Sequence, residues 1–138
     1  MSSTTLNAPT APLERALTFA APAGRTLLAG IFLLSGVNKI AAYEATQGYM
    51  AAMGVPGALL PAVIAFEIAA PLAIIAGFYA RSAAFLLAGF SILTALIFHF
   101  DFADQIQSIM FMKNVSIAGG LLMLTAYGPG AFSVDPRR

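Results

Sequence analysis

Glu67 is the residue in this chain best suited to do chemistry, because no other charge lies within ten residues on either side of it. A carboxyl group in such an apolar run serves either as a proton-transfer group or ligand anchor, or as a neutral, hydrogen-bonded acid that pins helices together. Pro71 follows four residues later. Proline cannot donate to the carbonyl four positions before it, so Pro71 frees the carbonyl of Glu67 and is expected to bend a helix there. The other polar side chains within apolar surroundings are Asn38, Lys39, His99, Lys113 and Asn114. Lys39 must snorkel outward or meet a polar partner inside. His99, flanked by Phe98 and Phe100, suits proton relay, a hydrogen bond to a ligand carbonyl, or an interfacial flank. Lys113 and Asn114 suit a helix entry or a binding role.

These residues need a scaffold, and the composition says which kind. Of 138 residues 59% are hydrophobic and only 9% charged, against roughly 25% charged in soluble domains. Lipid accepts such an exterior provided that backbone polar groups are satisfied internally, which helices do locally. The sequence therefore predicts an all-α membrane protein, a four-helix transmembrane bundle. The expected spans are Thr26 to Tyr43, Ala58 to Tyr79, Ser82 to Phe100, and a fourth from Lys113 and Asn114 to about Tyr127. The stretch Glu44 to Pro56 reads as a loop or interfacial turn, with Gly48, Gly54 and Pro56 as breakers. Ala65, Ala69, Ala73 and Gly77 form a small-residue stripe expected to pack against another helix, as do Ser91, Ala95 and His99, and Ser116 with Gly120. Residues 1–24 read as a flexible or interfacial cytoplasmic lead-in rather than a signal peptide, in which Leu13, Ala16, Leu17 and Ala20 share a helical face. Residues 25–135 form the membrane domain and 136–138 a cytoplasmic tail.

An even number of spans puts both termini on one side. Arg15, Arg25, Arg81, Arg137 and Arg138 fall on that side, against Lys39 and Lys113 on the other, so the basic-residue bias places the termini in the cytoplasm. Asn38, Lys39, His99, Lys113 and Asn114 then gather at the outer side. Glu67, about 15 Å from Gly57, lies near the midplane below them. An outward-opening cavity would join the group.

Several classes of function are excluded. A net charge of +1 without a basic run makes nucleic acid an unsuitable partner. The absence of cysteine removes thiolate nucleophiles, zinc-thiolate sites and iron–sulfur ligation from this chain. No metal-ligand cluster, phosphate loop or nucleophile elbow appears.

Taken in order, the residues resemble the DoxX family of small bacterial membrane proteins. The resemblance rests on Arg25 followed by Gly30-Ile-Phe-Leu-Leu-Ser-Gly-Val-Asn-Lys39, then Gly54-Val-Pro56, Glu67, Gly77, Arg81 and His99. It continues through Phe111-Met-Lys-Asn114, Gly119-Gly120-Leu-Leu122 and Gly128-Pro-Gly130-Ala-Phe-Ser-Val-Asp135. It implies a four-helix protein of the bacterial inner membrane. Several members carry an oxidoreductase label, and relatives have been associated with thiosulfate oxidation coupled to quinone or with oxidative-stress responses.

The leading expectation is an oxidoreductase subunit with an outward-facing pocket for a quinone-like ligand. Glu67 would exchange protons there, and Asn38, Lys39, His99, Lys113 and Asn114 would bind the ligand. Any redox role would need a bound quinone, another cofactor or a partner subunit, and a homodimer is the other assembly expected. The rival expectations are a small proton-coupled transporter and a non-catalytic assembly subunit whose polar groups fix helix packing.

Overall fold

A computed structural model describes residues 11–135, and within them every regular element is helical. Helices α1 (Ala11–Thr18), α2 (Ala20–Ala41) and α3 (Tyr43–Ala52) are followed by a 3-10 turn at Gly57–Leu59. Then come α4 (Leu60–Ala76), α5 (Ala80–Phe98) and α6 (Gln105–Tyr127). Four segments are long and apolar enough to cross a bilayer: Ala11–Ala41, Gly57–Ala76, Ala80–Phe98 and Gln105–Tyr127. The four expected spans are thus present and antiparallel in sequence. The segments assigned to residues 1–10 and 136–138, including Arg137 and Arg138, lie outside the described residues.

Leu13 and Leu17 are exposed on α1, which has no buried residue, and Phe19 is exposed at the turn between α1 and α2. The core is small and dominated by alanine. Ala29 and Phe32 of α2, Ala70 and Ile74 of α4, Ala83, Ala84, Leu87 and Ala88 of α5, and Ala118 and Leu121 of α6 form one cluster. Small side chains let helix backbones approach closely, which is how helices associate when lipid removes the hydrophobic drive between them.

Three expectations about elements are corrected. First, Glu44 to Pro56 is not a loop but mostly the helix α3. Glu44 favours the positive N-terminal end of that helix, and Gly48 is accommodated in open surroundings. The true stop is Gly54 at φ +79°. There Gly54 N donates to Ala51 O at 3.1 Å and Val55 N to Met50 O at 2.8 Å, the paired bonds that end many helices at a left-handed residue. Second, α6 begins at Gln105 rather than Lys113. Asp104 Oδ1 accepts from Ile106 N (2.9 Å) and Gln107 N (3.3 Å) and caps the helix, so Lys113 and Asn114 lie two turns inside it. Third, only the second half of the α4 small-residue stripe packs: Ala65 and Ala69 are exposed, whereas Ala73 lies against the core and Gly77 is buried. The packing face of α4 is Leu60, Glu67, Ala70, Pro71 and Ile74. Ser116 is likewise exposed, whereas Ser91 and Ala95 form the buried seam expected of α5.

The helix order positions the site. α2 packs extensively on α4 and α5 on α6, the α4 to α5 contact is smaller, and α2 and α6 touch only sparingly. One end of the bundle, the Arg25 end, gathers the start of α2, the α4 to α5 turn and residues 128–135. The opposite end, the His99 end, carries α3 and the α5 to α6 loop.

Candidate functional site

In the His99 half of the bundle a cavity of about 800 Å³ opens between α2, α3, α4, α5 and α6. Asn38, Lys39, Glu67, His99, Lys113 and Asn114 all line it. The six side chains singled out in the sequence are therefore brought together on one surface. The remaining lining is largely apolar, with Leu34, Phe90, Leu93 and Ile117 prominent.

At its inner end is an ion pair. Lys39 Nζ donates to Glu67 Oε2 at 2.9 Å and Oε1 at 3.2 Å, and also to Ser35 Oγ at 2.6 Å. Of the alternatives open to Lys39, snorkelling and an internal partner, the second holds. Glu67 is 3% exposed, and the Lys39 side chain 25%. Ser35 and Lys39 are four apart on α2 and so share a face. Gly36 sits beside them because α4 comes very close: a Cβ there would meet Ile68 Cγ1 at 3.0 Å and Glu67 Cβ at 3.1 Å. Gly36 thus sets the distance at which Lys39 reaches Glu67. Pro71 lies inside α4, buried one turn beyond Glu67, and the helix continues to Ala76.

The wall formed by α5 and α6 is tied together by polar bonds. Asn114 Nδ2 donates to Ser91 O and Thr94 Oγ1, both at 3.1 Å, while Ser91 Oγ donates to Asn114 O at 2.9 Å. Asn114 is consequently occupied as a helix clasp. His99 Nδ1 lies 2.7 Å from Gln107 Oε1; with that carbonyl oxygen as acceptor Nδ1 is the donor, and Nε2 is the ring nitrogen left for a ligand. Asn38 and Lys113 have no side-chain hydrogen-bond or ion-pair partner among the described residues, where every buried side-chain nitrogen and oxygen is satisfied. The lining therefore offers spare donors at Asn38 and Lys113 and acceptors at Glu67 and His99.

α3 roofs part of the cavity. Gln47 Nε2 donates to Gly57 O at 3.0 Å, and Tyr49 stacks on Phe98 with ring centroids 5.4 Å apart.

A second polar centre, at the Arg25 end, is absent from the sequence expectations. Arg25, expected to flank the first span at its cytoplasmic boundary, is 4% exposed. Its guanidinium donates to Ile75 O at 3.2 Å, to Pro129 O and Ala131 O at 2.7 Å each, and to Phe132 O. The segment after α6 is further held by Ser133 Oγ on Gly77 O (2.8 Å), Val134 N on Ala76 O (3.0 Å) and Asp135 N on Gly77 O (2.9 Å). Asp135 Oδ2 accepts from Ala80 N. Arg25, Gly77 and the closing Gly128 to Asp135 segment are therefore parts of one contact. Gly77, at φ +74°, has Ser133 where a Cβ would stand. A fork of donors on backbone carbonyls is a holding device rather than a reactive one.

Four apolar helices around a polar intramembrane pocket define a multi-pass helical membrane protein. The DoxX family model matches residues 20–100, and the chain belongs to that family. It is 50% identical over 111 residues, 80% of this chain and 85% of the relative, to the inner membrane protein YqjF of Escherichia coli (strain K12). It is 40% identical over 114 residues, 78% of this chain and 81% of the relative, to the inner membrane protein YphA of the same organism. No solved structure matches. The protein is a multi-pass protein of the bacterial inner membrane.

Proposed function

We propose that the cavity binds a quinone-like molecule and that the protein is a subunit of a membrane oxidoreductase, with Glu67 as its proton-exchanging group. The observation that carries this reading is the Lys39–Glu67 pair at the inner end of an otherwise apolar cavity. The volume suits a small-molecule site, typically about 300–1,000 Å³, and the apolar walls suit a ring and tail. Lys113 and Asn38 would donate to carbonyl oxygen, and Glu67 and His99 Nε2 would accept a hydroxyl proton. A bound quinone would supply the two-electron, two-proton couple that the side chains of this chain lack. Lys39 is hydrogen-bonded to both carboxyl oxygens of Glu67 and can pass a proton to it along those bonds. Electrons would arrive from a partner redox protein. The termini are proposed to be cytoplasmic, so that the cavity faces the outer side of the membrane.

The charge balance favours this over a carrier of cations. Glu67, the one carboxylate of the lining, is already matched by Lys39, and Lys113 leaves a surplus positive charge that repels a cationic substrate. The test is purification of the full chain from native membranes. A quinone absorbance that copurifies and disappears in Glu67→Gln is the expected result. Proton uptake driven by an added substrate would instead make it a transporter, and neither signal would leave it an assembly subunit.

A further inference from the structure

The four spans do not close into a ring. α2 and α6 meet where Leu28 lies against Gly120, fifteen residues and about 22 Å along α6 from Gln105. Nearer the His99 end, Ile31 and Leu34 of α2 and Lys113 and Ile117 of α6 line the cavity from opposite sides. Ile31 is 43% and Leu34 67% exposed, and Lys113 is exposed as well. Ile31 is eleven residues and about 16 Å into α2, so the gap stands at the depth of the hydrocarbon layer. Among the described residues no hydrogen bond crosses from α2 to α6. Lys113, eight residues and about 12 Å into α6, stands at this gap without a side-chain partner among the described residues. An ammonium group within an apolar span is costly to hold and marks a pathway when it faces a cavity.

We infer that the cavity is filled sideways, from the bilayer, through the seam between α2 and α6. The occupant is a single-tailed amphiphile whose small head carries carboxylate or carbonyl oxygen, and Lys113 is the group that draws this head in. This rests on the pocket reading above and narrows it: the ligand is dissolved in the membrane. The seam admits a tail because its edges are aliphatic, and it prefers an oxygen-bearing head because the charge left over after Lys39 has met Glu67 is positive. An aqueous entrance beneath α3 is the competing route, crossed by the Gln47 to Gly57 and Tyr49 to Phe98 contacts.

The chain has no tryptophan, which makes the test direct. Phe90→Trp places one fluorophore on the α5 wall of the cavity, at a half-buried ring packed edge-on to Phe66. Phe85→Trp places one at a 60% exposed, lipid-facing position as reference. Each full-length variant, its helicity checked by circular dichroism, is reconstituted in phosphatidylcholine vesicles and titrated with 9,10-dibromostearate or with dibrominated phosphatidylcholine. Dibromostearate is expected to quench Phe90→Trp at a roughly fivefold lower mole fraction than the phospholipid, the ratio one partly solvated ion pair provides. Adding Lys113→Gln should reduce that ratio to the value seen at Phe85→Trp.

Quenching at Phe85→Trp but not at Phe90→Trp would overturn the seam, as would equal quenching of Phe90→Trp by the water-soluble 2,3-dibromopropionate. A ratio unmoved by Lys113→Gln would overturn the role of that lysine. The two readings fail separately: a copurifying quinone without lipid-borne quenching leaves the pocket and removes the entrance. Quenching without any quinone leaves the entrance and removes the quinone.

Discussion

Lys39 reaches Glu67 from the neighbouring helix with its Nζ 2.9 Å from Oε2 and 3.2 Å from Oε1, so the most buried acid of the protein meets its counter-charge inside the membrane domain. The pair is unequal: both residues line the cavity, but Glu67 is 3% exposed and the Lys39 side chain 25%.

That inequality predicts unequal mutants. Lys39→Met strands a buried carboxylate and should cost about 3 kcal/mol, the low end for breaking a buried pair. Glu67→Gln leaves a lysine free to turn into the cavity and should cost less. The double variant should recover part of the loss. Thermal unfolding of the purified variants in detergent measures all three, and equal losses for the two single variants would contradict the geometry.

Gly36 should behave as a spacer. Gly36→Ala places a methyl against Glu67 Cβ and Ile68 Cγ1, pushing α2 from α4 where the ion pair spans them. Gly30→Ala, with nothing within 4 Å of its Cβ, should be neutral or slightly stabilising. Copurified quinone per mole of protein should fall in the first and not in the second.

Arg25 holds four carbonyl oxygens, three of them in the segment after α6. Arg25→Gln should cost about 2–4 kcal/mol, since hydrogen bonds to a charged donor are the stronger kind. Arg25→Lys should not rescue it, because an ammonium cannot reproduce the fork. A single cysteine replacing Ala131 in this cysteine-free chain should react slowly with a thiol reagent in the parent and faster in both variants.

The Asn114 clasp is open to a double-mutant cycle. Asn114→Ala and Thr94→Val should each cost about 1 kcal/mol, and less than additively together, since interhelical hydrogen bonds in membranes average about 0.6 kcal/mol and reach about 1.7. Additive losses would show that the two residues act independently.

Orientation is open to the same cysteine chemistry. Ala103→Cys, in the α5 to α6 loop, should label with an impermeant reagent in intact cells with the outer membrane permeabilised. Val134→Cys should label only after lysis. The reverse pattern would put the cavity on the cytoplasmic side.

The spans and the candidate site were legible in the sequence for one reason: a bilayer tolerates few polar residues, so the isolated Glu67, Lys39 and His99 announce themselves by contrast. The pairing of Lys39 with Glu67 was open, because spacing along α2 gives depth but not rotation. Arg25 was misjudged because an arginine beside an apolar run looks like an interfacial flank. Only the return of residues 129–132 shows what it holds, and that return is not written in any local period. The start of α6 had a usable signal: Asp104 with Gln107 three residues later is a helix-capping pattern. It was obscured by the polar run from Asp101 to Gln107. The Ala65 stripe misled because small residues at every fourth position suit a lipid-facing groove as well as a helix contact.

The sparse meeting of α2 and α6 makes the bundle a pair of hairpin leaves, bound where α4 touches α5 and pinned at one end by Arg25 on residues 129–132. Spreading such leaves exchanges helix-to-lipid contact for helix-to-guest contact and severs no polar bond between α2 and α6. Away from that pinned end the resistance to spreading belongs to the surrounding lipid, so that the lateral pressure of the bilayer becomes the spring that sets how wide the book stands.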